Sequence, residues 1–256
     1  MNDPQPSLSC AANSNTVGLR PYSSNCHRIR LGTYFECGNM NVELARFNMI
    51  EQQIRTWEVL DDRVLTLFGQ VHREAFVPPS ERSLAFADVN IPLGNGQCMM
   101  APKVEARMIQ ALSITETDSV LEIGTGSGYT AALLGMMAHE VISVDTIADF
   151  TQSATTKLAD ASIRNVLCET GNAAYGWPTH DRYHAIAATG SYPLFPDELA
   201  QRLKIGGRLF VIVGEAPIME ALLVTRVGET AWRRESLFET YIPALQHVQI
   251  PQRFIF

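Results

Sequence analysis

The chain has 256 residues, 46% of them apolar, and a formal charge of −7. That length and apolar content suffice for one large domain with a substantial core. The acidic balance excludes an overall basic footprint for nucleic acid, and no apolar run approaches the roughly 18 residues a spanning helix needs. The opening MNDPQPSLSC lacks the basic-then-apolar layout of a secretory signal, so a cytoplasmic protein is expected.

Residues 1–39 are rich in Ser, Asn, Pro and Gly and show no sustained period. Arg20, Arg28 and Arg30 stand against Asp3 and Glu36, a charge of +1 that leaves −8 for the remainder. This composition predicts a disordered extension, with Met40 as an alternative start. Cys26, His27 and Cys37 within it fit no common zinc spacing, so no metal is expected. Five cysteines, an odd number in a long chain, argue against a disulfide framework.

Residues 40–112 are expected to form a helical N-terminal part. Leu44, Phe47, Ile50, Ile54 and Trp57 recur at spacings of three and four, which predicts one apolar helix face. Asp61 sits where an N-cap belongs, ahead of Val64, Leu65 and Phe68, and Pro78-Pro79 is expected to end that helix. IPLGNGQCMMAP, residues 91–102, has two glycines and two prolines and reads as a loop. Val104, Met108 and Leu112 then return to helical spacing.

From 113 to 246 strands and helices alternate. Strands are predicted at 119–123, 140–145, 165–169, 183–188 and 207–213, with helices near 128–138, 147–160 and 196–204. This pattern predicts an α/β fold, a mostly parallel sheet with helices on both faces. Two last strands, near 219–226 and 234–242, have no helix between them and should form an antiparallel hairpin at one edge. Residues 247–256 are left as a tail.

VLEIGTGSGY, residues 120–129, runs a strand into a glycine loop. No Lys follows as a P-loop requires, and Ser127 stands one place too late for a hydrolase elbow. The spacing of Gly124, Gly126 and Gly128 is one residue short of a dinucleotide fingerprint. Glu122 would repel a pyrophosphate but suits a cationic ligand that lacks phosphate, such as S-adenosylmethionine. Asp145, ending the second strand, can accept from both hydroxyls of a ribose. After the third strand, GNAAYGW places a polar residue near the adenine, with Trp177 as a candidate flank.

With these strand ends, the chain resembles the protein-L-isoaspartate O-methyltransferase family over about residues 45–245. EAFVPP, GNGQCMMAP, VLEIGTGSGY, VISVD, GNAAYG, YHAIAATGS and LKIGGRLFVIVGE carry the likeness. The resemblance implies a seven-stranded Rossmann-like methyltransferase sheet with a reversed edge hairpin. It implies S-adenosylmethionine as cofactor and isoaspartyl residues of damaged proteins as methyl acceptors. Glu122, Gly124, Thr125, Gly126, Ser127 and Gly128 would meet the methionine part, Asp145 the ribose, and Asn172 with Ala173 the adenine. Gln97, Cys98, Met100, Pro102 and Thr189 would line the acceptor side.

The chain departs from the family pattern at three places. Asn172-Ala173 replaces the usual Asp-Gly, His184 replaces an acidic strand residue, and Cys98-Met99-Met100 replaces Thr-Ile-Ser. The family serine that contacts the acceptor carboxylate aligns with Met100, which cannot donate a hydrogen bond. Thr189 and Ser191 are the nearest replacement hydroxyls, and Lys103 and Arg107 are cations that could meet an anionic substrate. The catalytic residue is therefore left unassigned. A different, small-molecule acceptor, or cofactor binding without turnover, remains an alternative.

Overall fold

The computed structural model describes residues 41–252. The expectations for residues 1–39, including the Cys26, His27 and Cys37 cluster, lie outside the described residues.

Seven strands form the main sheet: β3 (Ser119–Ile123), β4 (Glu140–Asp145), β5 (Val166–Thr170), β6 (Tyr183–Tyr192), β7 (Leu203–Glu215), β8 (Ile218–Gly228) and β9 (Ala231–Thr240). Their order is β5-β4-β3-β6-β7-β8-β9. The first five in that order run parallel, β8 runs antiparallel to β7, and β9 antiparallel to β8 completes the edge hairpin. The chain runs outward from β3 through β4 to β5 and then restarts on the far side of β3 with β6. The crevice at the carboxyl ends of β3 and β6 is thus the switch point, where open α/β sheets bind ligands. Central β3 is buried at every position, as a strand covered on both faces must be. Edge strand β9 carries Arg233, Arg234 and Glu235 on a largely exposed ribbon, which discourages further pairing.

Helices α3 (Pro102–Leu112), α4 (Tyr129–Gly135), α5 (Ala148–Asp160) and α6 (Asp197–Gln201) cover the sheet. On one side a continuous core joins Met49, Phe68 and Met108 to Val120, Tyr129 and Phe210. On the other, Leu121, Ile186, Tyr192, Leu199 and Leu209 pack together. His184 is a structural strand histidine: its Nδ1 accepts the Ser119 N–H at 2.9 Å.

Three expectations are corrected. The first helix, α1 (Val42–Met49), passes into a π turn at Ile50–Ile54 and a 3₁₀ turn at Arg55–Trp57. A π turn closes to i+5 and shifts each later residue around the axis, so spacings of three and four no longer mark one face. Leu44 and Phe47 are exposed, while Arg46, paired with Glu43 and Glu74, turns inward beside Met49. Helix α2 (Asp62–Gln70) is capped by Asp61 as expected, but it ends well before Pro78.

The third correction concerns IPLGNGQCM, read as a loop. It forms a hairpin of β1 (Ile91–Gly94) and β2 (Gln97–Met99), with Ile91 opposite Met99 and Pro92 opposite Cys98. Gly94, Asn95 and Gly96 all have positive φ, which supplies the tight reversal. The proline tolerated at this short edge is what made the stretch look irregular.

Candidate active site

The glycine loop leaves β3 at the switch point. Gly124 has φ +98°, and a Cβ there would lie 2.4 Å from Thr189 Oγ1, so no other residue fits without displacement. Thr189, on β6, lies 2.6 Å from the Gly124 carbonyl and 3.0 Å from that of Ile123. Gly128, at φ +84°, admits Ala154 of α5, which a Cβ would meet at 2.7 Å. The loop is therefore shaped on one side by β6 and on the other by α5.

Asp145 ends β4 and faces the same opening. Its Oδ2 accepts the Gly126 N–H at 3.0 Å and its Oδ1 the Ile147 N–H at 2.9 Å. Beyond β5, Asn172 Oδ1 accepts the Ala174 N–H at 3.0 Å. A cleft runs between these strand ends, at the switch point where open α/β sheets bind ligands. Gly124, Gly126, Asp145, Asn172 and Ala173 line it, with Gln97, Cys98 and Thr189 on the acceptor side. A smaller cavity adjoins it and is lined by Thr125, Ser127, Met100, Glu105 and Thr130.

Several residues take other places. Glu122 does not line the cleft. It is fully buried, and its Oε2 accepts from Ser143 Oγ, which lies 2.7 Å from Thr125 Oγ1. Burial pushes its carboxyl up to about 8, the charges of Asp145 and Glu105 act in the same direction, and the Ser143 hydrogen bond opposes them. Glu122 thus lies beneath the loop, with burial favouring its acid form. Gly128 and Pro102 also lie outside both cavities, the proline starting α3. Trp177 sits behind Gly171, with its indole N–H donated to Glu169, and does not flank the cleft.

The candidate hydroxyls and cations are largely engaged. Ser191 Oγ donates to the Ile242 carbonyl at 3.0 Å. Lys103 pairs with Asp88 at 2.7 Å and lies over the Trp57 ring, and Arg107 pairs with Glu58 at 3.0 Å. Cys98 stays a thiol, since burial pushes it up to about 11.

The sequence pattern missed two groups. Leu245 and Gln246 reach the cleft because the chain after β9 returns beside β6, with Ser191 N–H to Pro243 and Leu245 N–H to Ser191. Glu105 and Arg73 are each about 1% exposed at the side chain and ion-paired beneath the acceptor hairpin. In PKVEARM, Glu105 looks like an ordinary solvated helix charge, and nothing local marks it as buried.

The family model for protein-L-isoaspartate(D-aspartate) O-methyltransferase matches residues 45–249. The chain belongs to that family. It is 39% identical over 198 residues to a protein-L-isoaspartate O-methyltransferase 2 of Pelobacter propionicus, covering 77% of this chain and 88% of that one. It is 40% identical over 199 residues to the corresponding protein of Rhodopseudomonas palustris, covering 77% and 91%. The fold matches a putative protein-L-isoaspartate O-methyltransferase from Plasmodium falciparum, solved with S-adenosyl-L-homocysteine. That match has a TM-score of 0.66 at 18% identity and covers 81% of this chain and 99% of that one.

Proposed function

We propose that the protein methylates the free carboxylate of isoaspartyl residues in damaged peptides and proteins, using S-adenosylmethionine, as a cytoplasmic repair enzyme. One observation carries this reading above the others. The family's match spans both the cofactor strands and the acceptor hairpin, and these two parts meet at one cleft.

The residues present fit the cofactor. Asp145 accepts one backbone N–H on each oxygen and retains lone pairs for two ribose hydroxyls. Gly124 and Gly126 let a ligand approach bare backbone, and no cation waits for a phosphate among the residues lining the cleft. Asn172 and Ala173 would hold the adenine, while Thr125 and Ser127 border the inner cavity on the methionine side. When bound, S-adenosylmethionine supplies an electrophilic methyl on a sulfonium.

The protein's task toward the acceptor is positional. A carboxylate with an ordinary value near 4 is already ionised at neutral pH, so no general base is needed. Leu93, Met100 and Leu245 give the two cavities apolar walls, and the hairpin would hold the acceptor oxygen in line. Cys98, as a neutral thiol, offers a weak donor and does not compete as a nucleophile.

Methyl transfer from labelled S-adenosylmethionine to an isoaspartyl peptide, against the matching aspartyl peptide, tests this. Transfer to the isoaspartyl form alone is expected. A second reading is favoured by Met100, together with the engagement of Thr189 and Ser191 on backbone carbonyls. It is the same chemistry on a different, small-molecule acceptor. Binding of S-adenosylhomocysteine without peptide transfer would select it.

A further inference from the structure

Arg73 is fully buried and touches four separate parts of the chain. Its Nε donates to the Ala85 carbonyl at 2.9 Å, its Nη2 to the Met100 carbonyl at 2.6 Å, and its Nη1 to the Glu105 carboxylate. Its guanidinium carbon lies 4.9 Å from the centre of the Tyr129 ring. Tyr129 is the first residue of α4, directly after the glycine loop, and Met100 is the first residue after the acceptor hairpin. The other Glu105 oxygen lies 3.4 Å from Thr130 Oγ1, and Glu105 borders the cavity between the two loops. One ion pair thus bridges the backbone of the acceptor side to the helix that begins at the cofactor side.

Stability is a weak reason for such a pair. Desolvation offsets most of what a buried ion pair gains, and apolar residues of the same volume often stabilise as well or better. Here the surroundings are already apolar: Phe68 and Phe76 pack against the same Tyr129 ring that Arg73 meets. What an apolar substitute could not supply is direction, since the planar guanidinium fixes two carbonyls and one carboxylate at set angles.

We propose that Arg73 and Glu105 are positioning residues for methyl transfer, holding the Met100 backbone in register with the glycine loop so that acceptor and methyl donor align. Met99 and Met100 bring no hydroxyl to the acceptor loop, so alignment there rests on backbone placement. The kinetic part of this inference rests on the proposed isoaspartyl activity.

The test compares wild-type protein with Glu105→Gln and with the apolar pair Arg73→Met/Glu105→Leu, which leaves no uncompensated charge if the first variant folds poorly. Thermal midpoint, S-adenosylhomocysteine affinity, kcat and KM for an isoaspartyl peptide, and deuterium exchange of amides 97–101 with and without S-adenosylhomocysteine are measured. The variants are expected to bind S-adenosylhomocysteine within threefold of wild type while kcat falls at least tenfold. In wild type S-adenosylhomocysteine is expected to slow exchange at 97–101, and in the variants that response is expected to disappear. Unchanged kcat with the response intact overturns the proposal. So does a loss of S-adenosylhomocysteine affinity that tracks a lowered midpoint, the mark of a merely structural pair. Should wild type fail to methylate the peptide, the assigned activity falls, and the exchange response alone still decides the role of the pair.

Discussion

Asp145 reaches from the end of β4 to the backbone of Gly126, one strand away, and accepts its N–H at 3.0 Å. The same carboxylate caps Ile147, ahead of α5, at 2.9 Å. Two cofactor-side elements are therefore held by one side chain that also faces the cleft. Asp145→Asn keeps the size but leaves only one acceptor oxygen. A hydrogen bond to a charged group is worth about 1.5–3 kcal/mol, so S-adenosylhomocysteine affinity is expected to fall roughly 10- to 150-fold. Titration calorimetry reads this directly, and an unchanged affinity would remove Asp145 from the ribose site.

Glu122 carries a different expectation. Its folded carboxyl titrates near 8 and its ordinary value is 4.5. Between those values the folded protein holds a proton that the unfolded chain has released. Stability contributed by this group therefore falls as pH rises from 4.5 to 8. Glu122→Gln mimics the protonated form and should flatten that slope. The gain at pH 8 and above is on the order of a few kcal/mol. At pH 7 the variant should bind S-adenosylhomocysteine within a few-fold of wild type. Urea melts across the pH range, with the variant subtracted from wild type, check the sign. A large loss of binding at pH 7 would mean that the carboxylate itself meets the ligand.

Gly124→Ala meets both a positive φ and the Thr189 hydroxyl at 2.4 Å. A strained backbone costs about 1–3 kcal/mol, and the clash adds to it. The double variant Gly124→Ala/Thr189→Ala removes the oxygen but not the φ, so it should recover part of the lost thermal midpoint. A single variant as stable as wild type would show that the loop relaxes freely and that the glycine is not required there.

The parallel sheet was legible because its strands are apolar runs punctuated by helices, and because reversal at β8 and β9 needs only the missing helix between them. The glycine loop, Asp145 and Asn172 follow from that frame, since ligand groups in such sheets gather at strand ends. What escaped was set by tertiary contacts. Leu44 and Phe47 face outward because a π turn and the Arg46 ion pairs reorient α1. Glu122 lies beneath the loop because it falls within a wholly buried strand. Leu245 reaches the cleft only through the return of the chain beside Ser191. The pairing of Arg73 with Glu105, 32 residues apart, leaves no local trace in either segment.

Met100 offers the sharpest test of how the acceptor is held. Met100 is 2% exposed and borders the inner cavity. Met100→Ser introduces a hydroxyl and removes buried apolar volume. The second effect costs about 2–5 kcal/mol of stability by analogy with Met→Ala changes, so the thermal midpoint should drop. The first effect, if the hydroxyl meets the acceptor carboxylate, is worth about 1.5–3 kcal/mol, and kcat/KM for an isoaspartyl peptide should rise at least tenfold. The two effects separate because one is read by melting and the other by kinetics below the melting range. A variant that is both less stable and less active would show that a close-packed, backbone-positioned loop, and not a missing donor, sets the rate in this chain.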